Sequence, residues 1–143
     1  CKVIAASDNT NADVALLQTV NRKLPDDSAT YVNVSDFITN DNDIKVGEHI
    51  YTMGFPLGLN AQDLDSTNGI QLLARGGNIT QESNEYSFGF DAASYMGASG
   101  SPIFNDKGQL VGILNAGFEK SQGFNYGIKA IYAKELIEQK MKH

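Results

Sequence analysis

The stretch that most constrains this chain is Asp91 to Asn105, which reads DAASYMGASGSPIFN. Its centre has the form G-x-S-G-[GS]-P around Ser99 and ends at Pro102. The two glycines permit sharp bends and a close approach of the backbone to a ligand. The proline fixes its φ angle and prevents the turn from continuing as a helix. Two apolar runs separated by Asn-Asp-Lys-Gly follow, so the pattern predicts a tight loop, a strand, a turn and a second strand.

Such a loop has the parts that acyl transfer requires. Ser99 offers a hydroxyl as a nucleophile, and the backbone N–H groups of Gly97 and Ser99 are able to converge on one point. A nucleophile beside two convergent donors supplies an attacking oxygen and an oxyanion hole. The alternative is a serine hydroxyl that only satisfies a turn, since Gly-Ser loops are common in β proteins.

The stretch resembles the active-site serine loop of trypsin-fold serine endopeptidases, especially the bacterial HtrA/Deg-like group with its pattern DAAxxxGxSGGP. Ser101 stands where that group usually has glycine, and the SGSP variant also resembles the glutamyl endopeptidases of the same fold. The run DVALL from Asp13 resembles the group's D-[ILV]-A-L-L, and the run VGEHIYTMGFPLGL from Val46 resembles VGexVyaiGxPlGl. An unrelated β-barrel would need all three matches to be coincidence.

The resemblance implies roles for individual residues. Ser99 would be the nucleophile, the N–H groups of Gly97 and Ser99 would hold the oxyanion, and Asp13 would orient the catalytic histidine. A carboxylate in that place fixes the imidazole tautomer and stabilises the imidazolium. The alternative for Asp13 is a capping or turn aspartate at a strand edge.

The resemblance also implies a substrate-binding surface. Ala93 falls near the floor of the primary specificity pocket, and an uncharged floor favours small or medium apolar side chains. The run Asn115-Ala116-Gly117 would pair with the substrate backbone as an added β-strand. The expected partner is therefore a protein or peptide substrate.

The triad also needs a base, and the histidines of this chain are His49 and His143, both of which follow Asp13. In the trypsin fold the histidine precedes the aspartate, within a T-x-x-H motif. We interpret His49 as a strand histidine, either at the surface or partly buried. We therefore expect the chain to be the later portion of a protease domain, with negligible peptidase activity by itself. The alternative is a non-catalytic pseudoprotease that binds peptides in the same groove.

The expected fold is all-β: a trypsin-like antiparallel barrel, the second of the family's two, with a remnant of the first barrel and a C-terminal helix. Short strands with Gly-rich turns support a barrel. The predicted divisions are residues 1–22 for the end of the first barrel, 23–43 for the linker, 44–128 for the second barrel and 129–143 for the helix. Apolar residues from Ala130 to Met141 are spaced to form one helical face.

Composition excludes some classes of function. The 143 residues carry a net charge of −6, which argues against nucleic acid as a partner because phosphate binding needs clustered Lys and Arg. No stretch approaches the length of apolar sequence that spans a membrane, and no metal-ligand cluster or cofactor motif is present. Cys1, the single cysteine, is either a strand residue of a longer chain or a lipid-modified N-terminus, and we favour the strand residue. Family resemblance alone implies a periplasmic or secreted protein.

Overall fold

The structure, a computed structural model, describes residues 1–24, 31–55, 72–92, 98–115 and 125–141. Within these ranges it contains eight strands, one α-helix and two short 3-10 helices. The strands are β1 (Lys2–Ala6), β2 (Ala15–Gln18), β3 (His49–Gly54), β4 (Leu73–Gln81), β5 (Ser87–Phe90), β6 (Pro102–Asn105), β7 (Leu110–Asn115) and β8 (Asn125–Lys129). The helix α1 is Ala130–Met141, and the 3-10 helices are Val34–Asp36 and Asp41–Asp43.

Strands β3 to β8 form a closed antiparallel barrel in the order β3-β4-β5-β8-β7-β6. Closure comes from β3 and β6, where Ile50 pairs with Asn105 and Thr52 with Ile103. The all-β, barrel-plus-helix fold predicted from the sequence is thereby confirmed. The divisions at residues 22, 43 and 128 stay predictions.

The barrel interior is filled by large apolar side chains, and glycines make room for them. Phe88 is 1% exposed, and its ring covers two backbone positions that have no side chain. A β-carbon would lie 2.7 Å from the ring at Gly112 and 2.6 Å from it at Gly127. The largest fully buried side chains are Phe88, Phe90, Ile50, Ile79, Ile103 and Val111.

Strand β4 is continuous through Arg75-Gly76-Gly77, although glycine in a strand interior weakens it. The two glycines do not break the strand, because both pair with β3, Gly77 with Ile50 and Gly76 with Tyr51. Gly77 is needed for space: a β-carbon there would lie 2.5 Å from the backbone nitrogen of Ala92. A glycine inside a strand often marks such a close backbone approach.

The rest of the described chain packs around this barrel. Strands β1 and β2 form a separate two-stranded antiparallel sheet, and α1 contacts β1, β2, β7 and β8. The segment before β3 is bound to the barrel, since the N–H of Ile38 donates to the carbonyl of Leu110 at 2.8 Å. Ile38 and Ile44 are part of the buried core.

Candidate functional site

Ser99 lies in a tight turn that enters β6. The N–H of Ser101 donates to the carbonyl of Ala98 at 3.0 Å and closes the turn. Gly100 has a φ of 90°, a conformation that favours glycine because it has no Cβ. Ala98 is buried and Ser99 is exposed, so the turn presents Ser99 at the surface.

The turn is hydrogen-bonded to the end of β7. The N–H of Gly100 donates to the carbonyl of Leu114 at 2.7 Å, and the N–H of Leu114 donates to the carbonyl of Ser101 at 2.8 Å. Asn115, which the sequence predicts to bind the substrate backbone, follows Leu114 directly and ends β7. The structure therefore brings Ser99 and Asn115 to the same end of the barrel.

The point where the serine loop leaves β5 is held by two neighbouring strands. From β4, the N–H of Asn78 donates to the Oδ1 of Asp91 at 2.6 Å, and the N–H of Asp91 donates to the carbonyl of Asn78 at 3.1 Å. From β8, the Nδ2 of Asn125 donates to the carbonyl of Ala92 at 2.5 Å. Ala92 is fully buried. We call Asp91 and Ala92 the root of the serine loop.

The other end of the serine loop packs against β3. The Oγ1 of Thr52 donates to the carbonyl of Pro102 at 2.9 Å. Gly54 lies so close to Ser101 that a β-carbon on Gly54 would overlap the Ser101 hydroxyl. Strand β3 thus leaves just enough space for a serine where the HtrA-like pattern has glycine.

Asp13 lies in the connection between β1 and β2, outside the barrel. It is exposed, while Ala12 and Val14 on either side are buried. The N–H of Val14 donates to the carbonyl of Ala12 at 2.9 Å, and the N–H of Ser7 donates to the carbonyl of Val14 at 2.9 Å. These bonds fix the backbone on both sides of Asp13, and its role toward a histidine stays a prediction.

His49 lies at the opposite end of the barrel from Ser99. It begins β3, which Gly54 ends beside Ser101. At about 3.3 Å per residue the strand separates these ends by roughly 16 Å. The Nδ1 of His49 instead lies 2.5 Å from the Oδ1 of Asp106 in the β6–β7 turn, and both side chains are exposed. His49 is therefore too far from Ser99 to take its proton directly.

Four of the predicted site residues, Ala93, Gly97, Ala116 and Gly117, lie outside the described residues. Conversely, sequence reasoning missed Asn125 and Asn78 as supports of the serine loop. An Asn within the largely apolar run from Phe124 to Ile128 is a weak sequence signal for Asn125. Asn78 acts through its backbone, which no side-chain pattern reveals.

In the described part of the chain, no helix is both long and apolar enough to cross a membrane. Nor do three or more His, Cys, Asp or Glu side chains come together, among the residues that the structure describes, in a group that would hold a metal ion.

The fold has a closed six-stranded antiparallel barrel, a serine turn joined to the β6–β7 hairpin, and a helix after β8. This arrangement defines the class of trypsin-like folds. The family model of the trypsin-like peptidase domain matches residues 2–113. The chain belongs to this family.

Curated relatives agree with this assignment. The chain is 34% identical over 131 residues to a probable periplasmic serine endoprotease, DegP-like, of Ectopseudomonas mendocina, an alignment that covers 90% of this chain and 25% of the relative. It is 31% identical over 137 residues to a protein of the same name from Rhizobium meliloti, covering 94% of this chain and 25% of the relative. The chain thus spans about a quarter of the length of these relatives.

A solved structure has the same fold. The HtrA-type protease AlgW with a decapeptide superposes with a TM-score of 0.58 at 23% identity, covering 75% of this chain and 32% of that chain. This likeness shows the fold, and it agrees with membership of the trypsin-like peptidase domain family.

Proposed function

We infer that this chain carries the nucleophile half of a serine endopeptidase that hydrolyses peptide bonds through an acyl-enzyme. The observation that carries the proposal is the turn of Ser99, which is exposed at the end of the barrel while the turn around it is closed by hydrogen bonds. A nucleophile on a rigid turn is held in place without a large entropy cost at the moment of reaction.

In the proposed mechanism, Ser99 attacks the scissile carbonyl and the N–H groups of Gly97 and Ser99 stabilise the oxyanion. Asp13 orients a histidine that accepts the Ser99 proton and then donates it to the leaving amine. The position of His49 beside Asp106 supports a different histidine for this step. We propose that it belongs to a T-x-x-H segment of a protein longer than these 143 residues.

The proposed substrate is an extended peptide that pairs with Asn115, Ala116 and Gly117 as an added strand. Ala93 at the floor of the pocket favours small or medium apolar side chains. The decapeptide in the AlgW structure supports a peptide ligand for this type of domain. The names of the relatives support the periplasm as the location.

A second candidate function is peptide binding without cleavage. The observation that favours it is the distance of His49 from Ser99 along β3. Without a base, Ser99 is a weak nucleophile and only the oxyanion hole would remain. We therefore expect these 143 residues alone to have negligible peptidase activity.

The test is labelling with a fluorophosphonate probe, read by intact mass, on this chain and on a form extended before Cys1. Ser99→Ala is the control. Labelling of the extended form that disappears in the control supports the endopeptidase. Absence of labelling in both forms supports the peptide-binding alternative. Ser99-dependent labelling of the short chain would contradict our assignment of the base to another segment.

A further inference from the structure

Asn125 is a buried polar residue whose role the proposed mechanism leaves unassigned. It begins β8 and is 8% exposed. Burying an amide side chain is unfavourable unless it finds hydrogen-bond partners. Its Nδ2 donates to the backbone carbonyl of Ala92, which lies 33 positions earlier in the chain.

The contact lies next to the described pairing of β5 with β8. These strands pair in register from Ser87 with Ile128 to Phe90 with Asn125. The carbonyl of Ala92 is two residues past Phe90. Because Ala92 is fully buried, its carbonyl needs a partner within the protein. The side chain of Asn125 supplies such a donor.

The root of the serine loop is therefore held from both sides of β5. Strand β4 holds Asp91 through its two bonds to Asn78, and β8 holds Ala92 through Asn125. Of these three bonds, the two from Asn78 use its backbone, whereas the one from Asn125 uses a side chain of the neighbouring strand. A substitution is able to remove it while leaving the backbone ladders of the barrel in place.

We propose that Asn125 is a positioning residue of the serine loop. It fixes the backbone at Ala92, and the next residue in the chain is Ala93, the proposed floor of the primary pocket. This inference rests on the proposed function, since it assigns a specificity role within that same site. Loss of the bond lets the root move and changes which side chain the pocket accepts.

The first experiment measures amide hydrogen exchange on this chain and on Asn125→Ala. We expect exchange of the amides in residues 91–101 to become about tenfold faster or more, because a buried carbonyl loses its partner. The matched control is Asn105→Ala. Asn105 is also buried, at 6% exposed, and bonds to Gln109 in the β6–β7 hairpin at the other end of the barrel. Unchanged exchange in residues 91–101 of Asn125→Ala would overturn the proposal.

The second experiment separates hydrogen bonding from space filling with Asn125→Asp. A carboxylate repels the Ala92 carbonyl, whereas a protonated carboxyl donates to it. Near pH 8 this variant should exchange like Asn125→Ala. At about pH 5 it should return toward the wild type after correction for intrinsic rates, since burial raises the pKa of a carboxyl. Because Asp fills the same space as Asn, wild-type exchange at both pH values would mean that Asn125 only fills space. If Asn125→Ala does not fold, Asn125→Asp still tests whether the hydrogen bond to Ala92 slows exchange in the serine loop.

The third experiment measures binding of peptides that differ in one apolar side chain, Ala, Leu or Phe, to Ser99→Ala with and without Asn125→Ala. We expect the ratio of their affinities to change about fivefold or more, an effect of the size of one methylene contact. Unaltered ratios with tight binding would overturn the specificity role. The same pair of proteins is also measured in the form extended before Cys1. If no peptide binds in either form, the proposed function fails, and the exchange experiments still decide whether Asn125 positions the loop.

Discussion

Gly54 and Ser101 face each other where β3 and the serine loop meet, and a β-carbon on Gly54 would overlap the Ser101 hydroxyl. The same β-carbon would lie 3.3 Å from the Ser101 β-carbon. Rotation of the hydroxyl therefore relieves only part of the crowding. The absence of a side chain at position 54 is what allows a serine at position 101.

Gly54→Ala should lower the free energy of unfolding by about 1–2 kcal/mol, the usual cost of overpacking. Ser101→Gly removes the opposing side chain, so the double variant should regain most of the loss. Urea denaturation of the wild type, both single variants and the double variant measures the coupling, expected to be at least about 0.5 kcal/mol. Strictly additive effects would show that the two residues do not crowd each other.

Gly77→Ala should be far more damaging than Gly76→Ala. At Gly77 a β-carbon would lie 2.5 Å from the nitrogen and 2.7 Å from the Cα of Ala92, and backbone cannot rotate away. We expect a loss of about 3 kcal/mol. At Gly76 the nearest atom is the His49 Nε2, at 3.1 Å, and that exposed ring is able to move. Gly76→Ala should stay within about 1 kcal/mol of the wild type. Equal chemical denaturation midpoints for the two variants would contradict the prediction that Gly77→Ala is the more damaging substitution.

Asp41→Ala should destabilise the protein through Lys129. The Nζ of Lys129 lies 2.8 Å from the Oδ1 of Asp41, with the lysine side chain 3% and the aspartate 64% exposed. Loss of the carboxylate leaves a buried cation without that partner, at a cost of about 1–3 kcal/mol.

Lys129→Met in the Asp41→Ala background should restore most of this stability, because an apolar side chain of similar length needs no charge partner. The pair of half-buried Lys134 and exposed Glu138, 4.0 Å apart, provides the comparison. Glu138→Ala should change the free energy of unfolding by less than about 0.5 kcal/mol. Thermal melts of all four proteins test this, and no recovery in the double variant would count against it.

His49→Ala should leave the rate of Ser99 labelling unchanged in whichever form of the protein is labelled. His49 contacts Asp106 at the far end of β3, whereas removal of a general base costs about 10²- to 10⁴-fold. The measurement is the time course of fluorophosphonate labelling by intact mass. A drop of that size in the labelling rate, with the fold intact by circular dichroism, would show that His49 takes part in activating Ser99.

Stability should fall at alkaline pH in a way that depends on Tyr132. Burial, with a smaller contribution from Glu85, raises the pKa of Tyr132 above its ordinary value. Its hydroxyl donates to the backbone carbonyl of Glu85 at 2.6 Å. Because the folded pKa is the higher one, this contribution to stability is complete below about pH 10 and is lost as the pH rises through the folded value.

Melting temperatures of the wild type and of Tyr132→Phe between about pH 9 and 12 test this, together with phenolate absorbance. The wild type should lose stability more steeply than the variant across this interval. Parallel curves for the two proteins would show that Tyr132 does not carry the effect.

The serine loop shows how far the sequence alone reaches. Ser99 between glycines and ahead of Pro102 predicts a tight turn leading into a strand, and the structure contains that turn and β6. The helix from Ala130 to Met141 and the barrel strands follow likewise from apolar periodicity and turn residues. These features are local, so the order of neighbouring residues along the chain is enough to specify them.

The contacts between distant segments were decided only by the tertiary structure. Nothing in the local sequence indicates that Asn125 reaches Ala92 or that Gly54 makes room for Ser101. Nor does it show that the pair of glycines in β4 serves a close approach rather than a break in the strand. These relationships depend on which strands become neighbours and in what register, because packing and hydrogen bonding act between residues that meet only once the barrel has closed.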